Sequence, residues 1–190
     1  MHYTKIKSDS DILPIFYKRF LEQKYSWNDL VSLPILQKFI KSDNMSCILC
    51  LEGKDIIGGI VYTHMVKSDT LFIHYEAAEK ESTLLQLITL AMLDEMCDVV
   101  YTNEAISESI GFSKINVKYL KPKLSFERKD VESKLFVYGT NKIRKENLVS
   151  MLYEYCKRIA FIPKPEDNYT FLNNRDRIRD MISNTDLVYI

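Results

Sequence analysis

The sequence predicts an α+β fold: a mixed, mostly antiparallel sheet with one parallel pair at its centre and helices on both faces. Three observations carry this. Thr70-Leu71-Phe72-Ile73-His74-Tyr75 is apolar, aromatic and β-branched on both alternating faces, which suits a strand covered on both sides. Leu84, Leu85, Leu87, Ile88, Ala91 and Met92 then recur at helical spacing with Leu90 and Leu93 opposite, predicting a helix buried nearly all round. Residues 98–102 are a second short strand, and two strands joined by a helix in a unit of this length form a βαβ crossover, hence a parallel pair.

The remaining elements follow from local pattern. Residues 2–7 alternate weakly and predict a first strand, with 8–11 as turn and helix cap. Residues 12–25 continue as a helix in which Pro14 is tolerated in the first turn and Ile15, Phe16, Phe20 and Leu21 form the buried stripe. A second helical stretch over 27–41 is interrupted or begun at Pro34. Residues 45–51 form a strand, Glu52-Gly53-Lys54-Asp55 a tight hairpin turn, and 56–64 the antiparallel partner. Lys67-Ser68-Asp69 turns the chain into the strand at 70–75. Beyond the crossover, Asn103 or Thr102 caps a short helix that lands on Ile110-Gly111-Phe112. Residues 115–120 are a strand, 122–132 a long polar connection, and 134–138 the strand that closes the sheet. An amphipathic helix over 146–162 turns Leu148, Leu152, Tyr155 and Ile159 inward, and Pro163-Lys164-Pro165 breaks it. The tail carries a basic helical piece around 175–181 and ends in Leu187-Val188-Tyr189-Ile190, an apolar run suited to packing back as a strand. We expect one domain over residues 1–140 and a helical extension over 141–190 packed on it.

Composition narrows the function class. A 190-residue chain that is 46% apolar and 27% charged builds a real core and is not largely disordered. The absence of a charged-then-apolar leader and of an apolar run of membrane length predicts a cytoplasmic protein with no membrane partner. Four cysteines form no disulfide framework in such a chain. Cys47 and Cys50 sit three apart in a strand and point to opposite faces, so we expect packed thiols rather than a zinc or redox pair. Net charge is zero, which gives no global pull on nucleic acid. Residues 76–108 nevertheless hold eight acids against Lys80 alone, and residues 114–158 twelve bases against five acids. The acidic side suits a cationic or amine-bearing partner. The basic stretch 114–129, with Tyr119 and Phe126 interleaved, reads as solvated surface rather than a nucleic-acid site.

Taken in order, these elements resemble the GCN5-related N-acetyltransferase (GNAT) superfamily over about residues 2–140. The resemblance rests on the succession strand, two helices, three antiparallel strands, helix, strand, helix and two strands, on Ile56-Ile57-Gly58-Gly59 after a hairpin, and on the Gly111-Phe112 ending. It implies a splayed parallel pair and acyl transfer from acetyl-coenzyme A or another acyl-coenzyme A to the amine of a small molecule or peptide, with no metal. Donor contacts would fall at Ile73 and Tyr75, at Lys80, and at the Ser82 and Thr83 amides. The family grips pyrophosphate with a glycine-rich turn before a helix N-terminus. Here the matching Ala78-Glu79-Lys80-Glu81-Ser82-Thr83 has no glycine and two acids, and Thr83 with Gln86 reads as a capping box. The sequence therefore describes a divergent member with a degenerate pyrophosphate loop, and argues against tight coenzyme A binding.

The family's general-acid tyrosine falls on Ser107, with Tyr101 and Tyr75 as nearby candidates. Its base matches Glu76 and His74, two apart on one face of the 70–75 strand at its carboxyl end, where they could jointly take a proton from an amine. Three further readings stand beside the acyltransferase. One is a non-catalytic interaction or regulatory module built on the same fold. Another is a single-domain relative of the FemA/FemX-type aminoacyl transferases, which also lack the glycine turn and resemble Ile57-Gly58-Gly59 followed by 72–78, 84–85 and Ala91. The third is the nucleic-acid binder set aside above.

Overall fold

Residues 1–103, 110–122, 131–181 and 187–189 are described by a computed structural model. They divide into two compact units, Met1–His64 with Phe72–Cys97, and Met65–Leu71 with Asp98–Ile190. The strands run in the order β1-β2-β3-β4-β5-β7-β6, with β8 and β9 in a separate pair. The larger sheet is mixed and mostly antiparallel, with one parallel pair. No helix among the described residues is long and apolar enough to cross a membrane.

In the first unit, β1 (His2–Lys5) lies antiparallel to β2 (Ser46–Glu52), and β2 turns through Gly53 into β3 (Asp55–Met65). The strand β4 (Thr70–Ala78) is buried along nearly its whole length, as its two apolar faces require. Cys47 and Cys50 of β2 are both buried free thiols. Burial pushes Cys47 to about 12 and Cys50 upward, so both are packed as thiols rather than held as thiolates.

The first helical segment departs from its expected pattern. It runs as α1 (Ile12–Phe16), a π turn over Tyr17–Leu21 and a short α2 (Glu22–Lys24). Leu13, Phe16, Tyr17 and Leu21 face the core, a stripe at helical spacing that leaves Ile15 off it and 49% exposed. The next helix, α3 (Leu33–Lys41), starts at Leu33 with Pro34 in its first turn, and Trp27 lies outside it on the surface.

The helix α4 (Glu81–Glu95) exists as predicted, but it is not buried all round. Leu84, Leu87, Ile88 and Ala91 form the inner face, whereas Leu90 is half-buried and Leu93 is 69% exposed. A leucine-rich repeat of this density fixes the helix but leaves its orientation to packing. Leu87→Ala or Ile88→Ala should each cost about 2–5 kcal/mol in urea denaturation, because both side chains are fully buried. A loss below about 1 kcal/mol at both positions would contradict this packing.

In the second unit the opening of β4 meets β5 (Val100–Thr102) through the Leu71 N–H, which donates to Val99 O at 2.9 Å. The strand β7 (Val131–Tyr138) does not close the sheet at its edge as expected. It inserts antiparallel beside β5, and β6 (Ser113–Lys121) pairs with its far side. Gly111, at φ 90°, delivers Phe112 onto the ring of Tyr138, centroids 5.3 Å apart.

The apolar tail does return as a strand. β9 (Leu187–Tyr189) pairs antiparallel with β8 (Lys142–Arg144), a strand the sequence did not announce. Two helices complete the unit. α5 (Lys145–Arg158) buries Leu148, Leu152 and Tyr155 as predicted but ends short of the expected 162, with Ile159 buried at its C-cap, and α6 (Tyr169–Arg179) is tied to β6 by Asn174. The Asn174 amide donates to Leu120 O and accepts from Leu120 N–H, both at 2.8 Å, and so imitates a neighbouring strand.

Glu154, buried on α5, accepts the Val66 and Lys67 N–H groups at 3.1 and 3.0 Å and pairs with Arg158 at 2.8 Å. Glu154→Gln would turn an amide donor on one of those N–H groups, a loss of about 1–3 kcal/mol by the cost of an unsatisfied buried donor. A melting temperature equal to wild type would show that the carboxylate does not hold this turn.

Candidate functional site

The strand β4 ends where α4 begins, and its carboxyl end carries the first unit's buried carboxylate. Glycine sets the backbone there. A Cβ on Gly58 of β3 would stand 2.7 Å from Ala78 Cβ, so only glycine lets β3 approach this closely. Glu79 N–H then donates to Ile57 O at 3.0 Å, holding the last residues of β4 to β3.

Glu76 is buried on this strand, and its carboxylate is hydrogen-bonded and ion-paired to Lys24 Nζ of α2. Its peptide is held as well. The Tyr25 hydroxyl accepts from Glu76 N–H at 2.9 Å and donates to Glu76 O at 3.1 Å. Burial raises the Glu76 pKa above its ordinary value, and Lys24 counters only part of that shift. Since Lys24 is itself 41% exposed, its charge is screened by solvent and burial prevails.

His74 has a different partner. Its Nε2 lies 2.8 Å from Thr63 Oγ1, and Thr63 donates its single proton to Asn44 O at 2.6 Å, so the imidazole nitrogen is the donor. His74 thus contacts β3 and Glu76 contacts α2. Ile73 and Tyr75 are buried. The Tyr75 hydroxyl donates to Asp29 O and accepts from Val31 N–H, both at 3.1 Å, while its ring packs edge-on against Tyr25.

The expected capping box does not form. Lys80 is the N-cap of α4 with no side-chain cap, and Gln86 Oε1 instead accepts from the Tyr3 hydroxyl. The box fails because the helix begins at Glu81, which places Thr83 inside the first turn rather than at the N-cap. Thr83 N–H donates to Lys80 O at 3.1 Å, whereas Ser82 N–H has no partner among the described residues. Lys80 and Ser82 are exposed, and so are Glu79 and Glu81. The helix start is therefore accessible to an anion, with Lys80 supporting it and two carboxylates opposing it.

Ser107 lies outside the described residues, as does Phe126 of the basic stretch. Tyr101 is buried in the second unit, and burial raises its pKa, so its proton is held too firmly for an efficient acid at neutral pH. Sequence reasoning missed Lys24, Tyr25, Asn44 and Thr63. Lys24 and Tyr25 read locally as the end of a helix, and nothing in their spacing points to a strand some fifty residues on.

A strand–helix junction of this kind within this strand order is the fold of the GCN5-related N-acetyltransferases. An assigned GNAT-family acetyltransferase from Bacteroides thetaiotaomicron superposes with a TM-score of 0.62 at 14% identity, covering 84% of this chain and 99% of that one. The aminoglycoside 6'-N-acetyltransferase from Enterococcus faecium gives 0.53 at 8% identity over 73% and 96% of the two chains. Diaminobutyrate acetyltransferase from Paenibacillus lautus, in complex with L-2,4-diaminobutyric acid and coenzyme A, gives 0.50 at 15% over 73% and 95%. No protein-family model and no curated protein sequence matches the chain.

Proposed function

We propose that this protein is an N-acyltransferase that moves an acyl group from an acyl-coenzyme A to the amine of a small molecule or peptide, with Glu76 as the proton acceptor. The observation that carries the reading is Glu76 itself: a buried carboxylate with a raised pKa at the carboxyl end of β4, one short turn before an uncapped helix N-terminus. A carboxylate shifted upward is better matched to taking a proton from an amine near neutral pH than an ordinary one. Lys24 offsets part of the cost of burying the Glu76 carboxylate, and the Tyr25 hydroxyl fixes the peptide that presents it.

The residues at the start of α4 fit an acyl-coenzyme A. Ser82 N–H and Lys80 would hold its phosphates, and when bound the group supplies the activated acyl carbonyl. Glu79 and Glu81 weaken that hold, since a carboxylate about 4 Å from a phosphate costs roughly 1 kcal/mol in water and about 4 near a protein surface. Binding weaker than in glycine-loop enzymes is therefore expected. The coenzyme A complex of the diaminobutyrate enzyme and the amine substrates named for that enzyme and the aminoglycoside enzyme support the reaction class.

The test is thiol release from acetyl-coenzyme A in the presence of a diamino acid, a polyamine, an aminoglycoside and a short peptide in turn, with calorimetric titration of acetyl-coenzyme A alongside. Release above background with any of these amines supports the reading. No release, together with a dissociation constant weaker than about 1 mM, would favour a non-catalytic module.

A further inference from the structure

A cleft of about 420 Å³ opens in the second unit, where three separated stretches of sequence converge: the turn leading into β4, the start of β5, and the run from β7 into α5. It draws on none of the residues assigned to proton transfer, because its share of β4 is the amino end. Gly139 shapes it. The φ there is 90°, and a Cβ would stand 2.0 Å from Asp98 O, so the chain passes directly against the Asp98 backbone. Thr140 then sets up β8: its hydroxyl donates to Lys142 O at 2.7 Å and accepts from Lys142 N–H at 3.1 Å.

The walls carry balanced charge. Asp98 and Asp69 line the cleft together with Lys142 and Arg144, which are two apart on β8 and so project to one side. Arg144 is also the N-cap of the 14-residue helix α5, no side chain caps that helix, and Asn147 of its first turn reaches the same cleft. Lys145 is not part of it, since its ammonium holds Arg179 O and Met181 O at 3.1 and 2.9 Å. Arg144 and Asp98 line one space, yet neither has an ion-pair partner among the described residues. Tyr101, 1% exposed, adds to the lining, and its hydroxyl has no hydrogen-bond partner among the described residues.

Two charges of opposite sign, Arg144 and Asp98, both without an ion-pair partner among the described residues, face one cavity and together select for a ligand that carries both. A polyanion meets Asp98, and a polycation meets Arg144. A molecule with one carboxylate and one ammonium satisfies both walls, and the dipole of α5 adds to the anion-binding side. The volume lies at the small end of metabolite sites, which span about 300–1,000 Å³. We propose that this cleft binds a small zwitterion of the α-amino acid class, its carboxylate toward Arg144 and the first turn of α5, and its ammonium toward Asp98.

The experiment is calorimetric titration of the full chain with the common L-α-amino acids one at a time, each compared with its matched monoamine and monocarboxylate. At least one amino acid is expected to bind with a dissociation constant below about 1 mM, and its two truncated analogues at least about tenfold more weakly. Arg144→Met and Asp98→Asn replace exposed side chains, so both variants should keep the wild-type melting temperature and each weaken binding about tenfold or more. Glu76→Gln should leave it unchanged, which separates this cleft from the end of β4. The proposal is overturned if no amino acid binds more tightly than about 10 mM, or if the monocarboxylate binds as well as its parent. It is equally overturned if binding survives Arg144→Met and Asp98→Asn but is lost in Glu76→Gln.

Discussion

Glu76→Gln is expected to lower kcat/KM for amine acylation by about 10²–10⁴-fold, the usual contribution of a positioned general base, while leaving the melting temperature within a few degrees of wild type. The amide matches the carboxylate in size and still accepts from Lys24 Nζ. Losing the negative charge strands little, because Lys24 is partly solvated. The pH dependence gives the sharper readout. Glu76 must be ionised to accept a proton, and burial raises its pKa in the folded protein, so activity should rise with pH through a limb that lies above the ordinary 4.5. That limb should vanish in the glutamine variant. Stability should move the other way. With the folded pKa above the unfolded one, the contribution of Glu76 is fully present below about 4.5 and is lost as pH rises through the folded pKa. An unchanged pH–rate profile in Glu76→Gln would remove Glu76 from the reaction.

The second large effect is structural. Gly139→Ala should destabilise the second unit by about 3–5 kcal/mol, combining the penalty of a left-handed φ with a forced backbone displacement. The displacement dominates, because a Cβ 2.0 Å from Asp98 O cannot be relieved by rotating a side chain. Gly53→Ala is the matched control. Its φ is +64°, yet nothing lies within 4 Å of the added Cβ, so it should cost only about 1 kcal/mol. Urea denaturation followed by circular dichroism measures both, and equal losses at the two glycines would mean that the chain does not pass against Asp98 as described.

The sequence by itself determined the elements and the fold class. Periodicity marks β4, α4 and α5, glycine places the 53–54 turn, and the succession of these pieces is enough to pick out the GNAT fold. Such signals are local, because period 2 and period 3.6 are read within a few residues. What the tertiary structure decided was every choice between local alternatives. Leu13 rather than Ile15 anchors the stripe of the first helix, a choice the apolar composition of that segment leaves open. The Thr83–Gln86 box was locally sound, but the helix starts earlier, with Lys80 as its N-cap, and Gln86 accepts instead from Tyr3. β7 took its place beside β5 through pairing that no single strand encodes. The site divides in the same way. Glu76 and His74 were visible as polar groups on an apolar strand, whereas their partners Lys24 and Thr63 are ordinary residues of other elements. A buried charge announces itself in sequence by its incongruity, but the group that satisfies it is chosen only when the chain closes.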